Sequence, residues 1–219
     1  MSKGLLIIWT DVEPNAEADF NDWYDHQHLE ERVGVPGFIN GRRYSAIDGR
    51  PRYLAWYETD TPDVLGSVAY GERQANPTPW TQRIMPNFRN VTRVTAEQIA
   101  KSGEGIGGWC TTLRFRPKES AKTTLFSWLT TKPDELVNSS KVVSALSWRP
   151  ADADAAKGTT EAELRKNEEQ PPAWGLLIET GSLEAAQRAV VGLAETITSL
   201  GGGDVETGYY RLGLLRIAN

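Results

Sequence analysis

The segment Pro51-Arg-Tyr-Leu-Ala-Trp-Tyr-Glu-Thr59 returns later in the chain as Pro172-Ala-Trp-Gly-Leu-Leu-Ile-Glu-Thr180. Both copies read P-x6-E-T and are rich in aromatic and aliphatic residues, which favours strands. Upstream of each copy stands a second apolar segment, Gly4-Leu-Leu-Ile-Ile-Trp9 in one half and Gly108-Trp-Cys-Thr-Thr-Leu113 in the other. The same landmarks in the same order predict two copies of one structural unit.

The first half alternates strand-like and helix-like stretches. Hydrophobic periodicity and turn residues predict a strand, a helix that ends at Gly34, two strands joined at Asp48-Gly49, a helix that begins at Thr61-Pro62, and a last strand. This order, βαββαβ, is that of a ferredoxin-like unit. The predicted strands are Gly4–Thr10, Phe38–Ile47, Pro51–Thr59 and Phe88–Thr95, and the first helix covers residues 15–33.

The second half predicts the same order, with an insertion of 17 residues. A helix is expected near 124–138, strands at Val142–Arg149 and Tyr209–Ile217, and one continuous helix from Ser182 to Leu200. The extra residues fall at about 151–170, a polar and charged stretch that we interpret as a surface excursion with a short helix near 161–167.

A single unit buries one face of its sheet under helices and leaves the other face bare. Two units in one chain can cover each other's bare faces. We therefore predict an α+β fold in which units 1–102 and 103–219 stack sheet on sheet as a pseudo-dimer within one chain. The linker 103–108 matches G-x-G-x-x-G, but it precedes a strand instead of following one, so it does not predict a dinucleotide site.

Composition excludes several classes of function. Of 219 residues, 24 are basic and 29 acidic, which gives a net charge of −5, and no basic stripe occurs, so nucleic acid and anionic membranes are poor partners. Two histidines and the single Cys110 are too few for a His/Cys zinc site, and no metal is expected. The longest apolar run, Leu5–Trp9, is too short to span a membrane, and we expect a cytoplasmic protein.

The helix at 15–33 carries the densest chemistry. At 100° per residue, Phe20, Trp23 and Tyr24 share one face, His28 lies about one turn after Tyr24 on the inward side, and His26 points to solvent. An imidazole can accept and return a proton near neutral pH. His28 is thus the candidate catalytic base, with the alternative that it is a histidine at the helix–sheet boundary with a structural hydrogen bond.

The run FNDWYDHQHLEERVGVPGFINGRRY at 20–44 resembles the EthD-type members of the dimeric α+β barrel superfamily. The shared pattern is F-N-x-W-Y-x-x-x-H, then P-G-F, then R-R-Y. Gln27 and Glu30 depart from it, since glutamate and proline are common there. The resemblance implies that the two ferredoxin-like units form an intramolecular dimeric α+β barrel, with a cavity between sheet and helices. It also implies an enzyme from a superfamily that includes cofactor-free monooxygenases, lactone isomerases, polyketide cyclases and haem-binding enzymes.

From this resemblance and from the strand patterns we assign candidate roles. His28 and Tyr24 are the catalytic candidates, the first as proton shuttle and the second as hydrogen-bond donor. Alternation places Arg42 and Tyr44 on one face of their strand and Arg43 on the other, and leaves open which face lines the cavity. Arg43 could equally form an ion pair within the protein. The candidate substrate-binding residues are Trp23, Asn21, Gln27, Arg43, Tyr44, Trp56 and Trp80.

Three functions remain open at this point. The leading hypothesis is a cofactor-independent isomerase, lyase, cyclase or monooxygenase acting on an apolar or aromatic oxygenated metabolite. The second is a haem enzyme with His28 as axial ligand. The third is a non-catalytic small-molecule binding protein. Either a monomeric pseudo-dimer or a homodimer is compatible with the repeat.

Overall fold

The computed structural model describes residues 2–48, 51–139, 141–151, 160–165 and 170–218. Eight strands follow the predicted order in two groups of four. The central strands, such as Tyr53–Thr59 and Trp174–Thr180, are buried along almost their whole length, as expected for strands that contact a core on both faces. The eight strands are β1 Gly4–Val12, β2 Phe38–Asp48, β3 Tyr53–Thr59, β4 Phe88–Ser102, β5 Trp109–Pro117, β6 Val142–Pro150, β7 Trp174–Thr180 and β8 Gly202–Ile217.

The strands form one closed barrel in the order β1-β3-β2-β8-β5-β7-β6-β4. Each unit contributes a four-stranded antiparallel sheet, β4-β1-β3-β2 in the first half and β8-β5-β7-β6 in the second. The two sheets join edge to edge where β2 pairs with β8 and β4 pairs with β6. The prediction of a tandem ferredoxin-like barrel within one chain is thereby confirmed.

The joining strands are longer than the sequence pattern predicted. β4 continues past Thr95 to Ser102, and its last residues pair with the other unit, for example Ser102 with Ala145. β8 starts at Gly202 rather than at Tyr209. A stretch such as Ala96-Glu-Gln-Ile-Ala-Lys-Ser102 has little strand character of its own, so pairing across the junction keeps it extended.

Helices cover the outside of the barrel. The helix expected from Ser182 to Leu200 is two helices, because Gly192 has a positive φ of 75° and interrupts it. Among the described residues, none of the helices is both long and apolar enough to cross a bilayer. The helices are α1 Glu17–Trp23, α2 Leu29–Val33, α3 Val68–Ala75, α4 Pro79–Ile84, α5 Lys122–Ser139, α6 Thr160–Leu164, α7 Leu183–Ala189 and α8 Leu193–Ser199.

The apolar residues form three separate clusters. One lies under the helices of the first unit, one under those of the second unit, and the third fills the barrel between the two sheets. In the interior, the Trp148 ring packs against Trp9 with centroids 6.1 Å apart and against Trp56 at 5.6 Å. The bare faces of the two sheets therefore cover each other, and the fold needs no second chain to complete this core.

A buried ionic cluster connects the two repeats inside the barrel. Arg42 donates from Nη2 to Glu58 at 2.8 Å and from Nη1 to Glu179 at 3.0 Å. These glutamates are the equivalent residues of the two P-x6-E-T segments. Tyr44 and Ser144 also donate to Glu179. One guanidinium thus pairs with both copies of the repeated carboxylate.

Replacing Arg42 with methionine should leave two buried carboxylates without their counter-charge. We expect the free energy of unfolding to fall by about 3–5 kcal/mol, measured by urea denaturation at neutral pH. Arg188→Met is the matched control, since Arg188 pairs with Glu184 on an exposed helix surface and should change stability little. Equal effects of the two substitutions would contradict the role of the cluster.

Candidate active site

The segment that carries the histidines is a continuous helix with a π-helical turn inside it. α1 runs into the π-helical turn Tyr24–His28, which continues directly into α2. The Leu29 N–H donates to the Tyr24 carbonyl, five residues earlier. We call residues 17–33 the site helix. Such π turns inside α-helices are rare and occur frequently at functional sites.

The π-helical turn changes the neighbour of His28. In a regular helix His28 would stack on Tyr24, four residues before it, as the sequence predicted. Here the imidazole lies instead against the Trp23 ring, with centroids 3.9 Å apart and an interplanar angle of 25°. Tyr24 meets the imidazole edge to face at 5.1 Å. The extra residue in the turn brings positions five apart into register.

The two histidines have opposite environments. His28 is buried, with 5% of its surface exposed, whereas His26 is exposed. The predicted difference between the inward His28 and the outward His26 is confirmed. The difference makes the pair a natural test system, because His26 lies in the same turn without facing the core.

His28 lines a small cavity between the sheet of the first unit and its helices. The cavity has a volume of about 30 Å³, room for one or two water molecules. The site helix, α3 and α6 surround it, and β1, β3 and β4 form its base. The described lining residues are Leu6, Ile8, Tyr24, His28, Arg32, Tyr57, Tyr70, Gln74, Met85, Phe88, Val91, Arg93, Glu161 and Arg165.

Four of these side chains have buried polar atoms that find no hydrogen-bond partner within the described part of the chain. The atoms are His28 Nδ1, Tyr57 Oη, Arg32 Nη1 and Gln74 Oε1. A buried donor or acceptor without a partner costs about 1–3 kcal/mol. Four such atoms around one cavity indicate polar groups arranged for a ligand.

Burial keeps the imidazole of His28 neutral. Desolvation lowers its pKa well below the ordinary value, and the charges of Arg32, Arg165, Arg73 and Arg43 lower it further. A neutral imidazole retains one free nitrogen lone pair, so His28 can accept a proton.

The phenols of Tyr24 and Tyr57 stay protonated. Desolvation raises the pKa of Tyr24 to about 12, against the opposing effect of Arg43 and Arg32. Desolvation also raises the pKa of Tyr57 well above the usual phenol value. Both hydroxyls therefore remain hydrogen-bond donors at any physiological pH.

Trp23 and Gln27 attach the site helix to α4. Trp23 Nε1 donates to Thr81 Oγ1 at 3.1 Å, and Gln27 Nε2 donates to Thr78 Oγ1 at 2.5 Å. Thr78 is also the N-cap of α4. Neither Trp23 nor Gln27 is among the described lining residues, so the structure gives them contacts that position His28. Their predicted contact with substrate stays a prediction.

Arg43, Asn21 and Trp80 also make contacts within the protein. The Arg43 guanidinium lies 4.7 Å from the centre of the Tyr24 ring, pairs with Asp25 at 2.8 Å and donates to Asn21 Oδ1. Arg43 thus forms an ion pair within the protein, which was the alternative expected from the sequence. Trp80 donates to Asp19 at 2.8 Å. These contacts fix the orientation of the site helix on the sheet, and direct binding to substrate remains untested.

The prediction that Tyr44 and Trp56 line the cavity is wrong. Both belong to the cluster inside the barrel, on the opposite side of the sheet. Strand alternation offered two faces, and the structure selects Tyr57 rather than Trp56 for the helix side. A β-bulge between Phe38 and Asn40 also breaks the alternation of β2, so that Phe38 packs under the helices while Tyr44 faces the interior.

The charged insertion is not only a surface excursion. Its helix α6 lies over the cavity, and Glu161 and Arg165 are buried there with 3% and 8% of their surface exposed. Nη2 of Arg32 donates to both carboxylate oxygens of Glu161. Sequence analysis missed both residues, as well as Arg32. A polar stretch from the other half of the chain carried no signal for burial in this cavity.

The second unit shows no equivalent of this site within the residues that the structure describes. The corresponding helix, α5, packs Leu125 and Leu129 into a closed apolar core. Across the described ranges, no group of three His, Cys, Asp or Glu side chains is arranged to hold a metal ion. The candidate site is therefore assigned to the first unit.

Comparison with known proteins supports the fold and leaves the activity open. No family model and no curated protein sequence matches the chain. Among solved structures it is similar to an anthrone oxidase-like protein, with 9% identity, coverage of 100% and 94% of the two chains, and a TM-score of 0.68.

Two further solved structures are similar over nearly their whole lengths. A provisionally named monooxygenase from Lactobacillus acidophilus is 7% identical, with coverage of 100% and 98% and a TM-score of 0.63. A mutant chlorite dismutase from Candidatus Nitrospira defluvii, determined with cyanide, is 8% identical, with coverage of 97% and 91% and a TM-score of 0.57. At these identities the comparisons support the fold of the chain and nothing further.

The neutral state of His28 should make stability depend on pH. Below about pH 6.5 an unfolded histidine binds a proton that the folded protein excludes. The stabilisation relative to His28→Gln should therefore be lost as pH falls, by up to about 1.4 kcal/mol per pH unit. Urea unfolding of both proteins between about pH 7.5 and 5 measures this difference in the free energy of unfolding. Carboxylates that are present in both proteins contribute equally to the two curves and drop out of the difference. A difference that is independent of pH would contradict the burial of a neutral imidazole.

Proposed function

We propose that the protein is a small enzyme that uses His28 to transfer a proton to or from an apolar or aromatic oxygenated metabolite. The observation that carries the proposal is the cavity of the first unit, where the buried atoms His28 Nδ1, Tyr57 Oη, Arg32 Nη1 and Gln74 Oε1 lack partners. These atoms offer one acceptor on the imidazole, donors on tyrosine and arginine, and an amide oxygen. A substrate with a carbonyl or hydroxyl group could satisfy them.

The proposed step begins with removal of an acidic proton from the substrate. The neutral imidazole accepts the proton from a C–H or O–H group, and the bonding electron pair stays on the substrate as an enolate or phenolate. Return of the proton to another atom completes an isomerisation. A positioned base of this kind contributes about 10²- to 10⁴-fold to the rate.

The cationic environment favours the anionic product of this step. Arg32, Arg165, Arg73 and Arg43 lower the pKa of His28, and the same positive field stabilises negative charge on a nearby substrate. Tyr24 and Tyr57 remain protonated and can donate to the developing oxyanion. The base is weak, but the proton it removes is made correspondingly more acidic.

Several reaction types share this first step. Isomerases, lyases and cyclases need only the base and the oxyanion donors, whereas a cofactor-free monooxygenase adds molecular oxygen to the carbanion. The named neighbours include an anthrone oxidase-like protein and a provisional monooxygenase. They favour the oxygen-dependent type as the first to test on this chain.

The substitution His28→Gln should lower turnover at least about 100-fold while leaving the fold intact. The first assay incubates the protein in D₂O with a panel of phenols, lactones, aromatic aldehydes and anthrone. Deuterium incorporation is measured by mass spectrometry and oxygen consumption with an electrode. Any substrate found in this way is then used to compare the variants.

His26→Gln is the matched control, because His26 lies in the same π-helical turn and is exposed. It should keep the activity of the unmodified protein. Equal activity of the two variants would remove His28 from the mechanism. Binding of panel members without exchange or oxygen consumption would instead support a non-catalytic binding protein.

The residues around His28 do not fit a haem. The cavity measures about 30 Å³, and Tyr24, Tyr57, Tyr70 and Phe88 line it on the sheet and helix sides. A macrocycle would require these aromatic side chains to move. We therefore propose a mechanism that does not involve haem.

Addition of haemin should produce no Soret shift that depends on His28. Absorption spectra of the unmodified protein and of His28→Gln, recorded during titration with haemin, test this expectation. A shifted Soret band in the unmodified protein that disappears in the variant would identify His28 as an axial ligand and would overturn the cofactor-free mechanism.

A further inference from the structure

We infer that Arg32 is an anion-recognition residue for the ligand of this cavity, and that Glu161 occupies its place as an internal substitute for a ligand carboxylate. The inference rests on the proposed function in taking the cavity around His28 as the ligand site. It adds a substrate class, namely small aromatic carboxylates, and a displaceable cover.

The charge distribution of the cavity supports an anionic ligand. Glu161 is the single acidic side chain in the described lining, and it comes from α6 in the other half of the chain. The first unit itself contributes Arg32 and the neutral His28 to the described lining, and it contributes no carboxylate. Glu161 of α6 is therefore the only carboxylate of the described lining that can pair with Arg32.

Arg32 retains hydrogen-bonding capacity while it is paired. Only Nη2 of Arg32 contacts Glu161. Nη1 has no partner among the described residues, although only 3% of the Arg32 surface is exposed. Burial disfavours the charge of Arg32, but the carboxylate of Glu161 outweighs this effect and raises its pKa. A guanidinium can bind a carboxylate through two parallel donors. A ligand could thus use the second nitrogen, which Glu161 leaves free.

A buried ion pair between Glu161 and Arg32 attaches α6 to the site helix. α6 has five residues, too few to be stable without tertiary contacts. Glu161 of α6 and Arg165, the residue that follows α6, are buried at the cavity, and Leu164 adds a partly buried apolar contact. Exchange of one carboxylate for another on Arg32 conserves the buried ion pair. An aromatic carboxylate would therefore replace Glu161 without leaving an unpaired buried charge.

Occupation by Glu161 also explains the small volume of the cavity. If Glu161 occupies the ligand's place in most molecules, the apparent affinity for the ligand is reduced to the fraction of molecules in which Glu161 has left Arg32. Aromatic rings of Tyr24, Tyr57, Tyr70 and Phe88 surround the remaining space and suit an aromatic body beside the charged group. The site accordingly fits an aromatic ring with a carboxylate directed to Arg32.

The test compares 4-fluorobenzoate with the neutral 4-fluorobenzamide by ¹⁹F NMR titration of the full-length protein. Glu161→Gln should bind the benzoate at least about tenfold more tightly than the unmodified protein, with little change for the benzamide. Glu163→Gln is the matched control, since Glu163 is exposed on the same helix. It should behave as the unmodified protein. Equal affinities of Glu161→Gln and Glu163→Gln for the benzoate would overturn the inference.

The double variant Arg32→Gln/Glu161→Gln removes both charges and leaves neither group unpaired. It should lose the preference for benzoate over benzamide, and retention of that preference would also overturn the inference. Where Glu161→Gln fails to fold, hydrogen exchange in the unmodified protein replaces it. Saturation with 4-fluorobenzoate should then accelerate exchange of the amides at 160–165, and unchanged exchange or absence of binding contradicts the proposal.

These outcomes are independent of those for the proposed function. Binding depends on Arg32 and Glu161, whereas turnover depends on His28. Charge-selective binding together with equal activity of the His28 and His26 variants would leave the anion site standing without the mechanism. Loss of activity in His28→Gln without charge-selective binding would leave the mechanism standing without the anion site.

Discussion

The need to cover two open sheet faces governs the whole structure. Each unit packs helices on one side of its sheet, and the other side presents large aromatic side chains such as Trp9, Trp56 and Trp148. Edge pairing of β2 with β8 and of β4 with β6 closes the sheets on each other. A closed barrel has no free edge strand in it and buries both faces within one chain.

Closure also sets where charge can be buried. The repeated glutamates Glu58 and Glu179 come close together inside the barrel, and Arg42 pairs with both. On the outside of the same sheet, Arg43 packs against Tyr24 and holds the site helix. Two neighbouring arginines on one strand thus serve opposite faces. One connects the two units, and the other positions the segment that carries His28.

The two units have become unequal around this common frame. The second unit fills the space under its helix with leucine, whereas the first keeps a cavity with polar groups and receives a cover from its partner through α6. The cover explains why an insertion in the second half bears on a site in the first. In this arrangement one half supplies the proposed chemistry, and the other supplies both the supporting sheet and the charged group that competes for Arg32.

The sequence by itself determined the repeat, the strand order within each unit and the inward orientation of His28, because these depend on local periodicity and on motifs within one segment. Only the tertiary structure decided which sheet face lines the cavity, so that Tyr57 replaced Trp56. It also decided the stacking of His28 on Trp23 and the burial of Glu161 against Arg32. Alternation alone cannot distinguish the two faces of a strand. A single π-helical turn shifts the register of the side chains that follow it. A polar helix is buried only where an opposite charge from a distant part of the chain pairs with it.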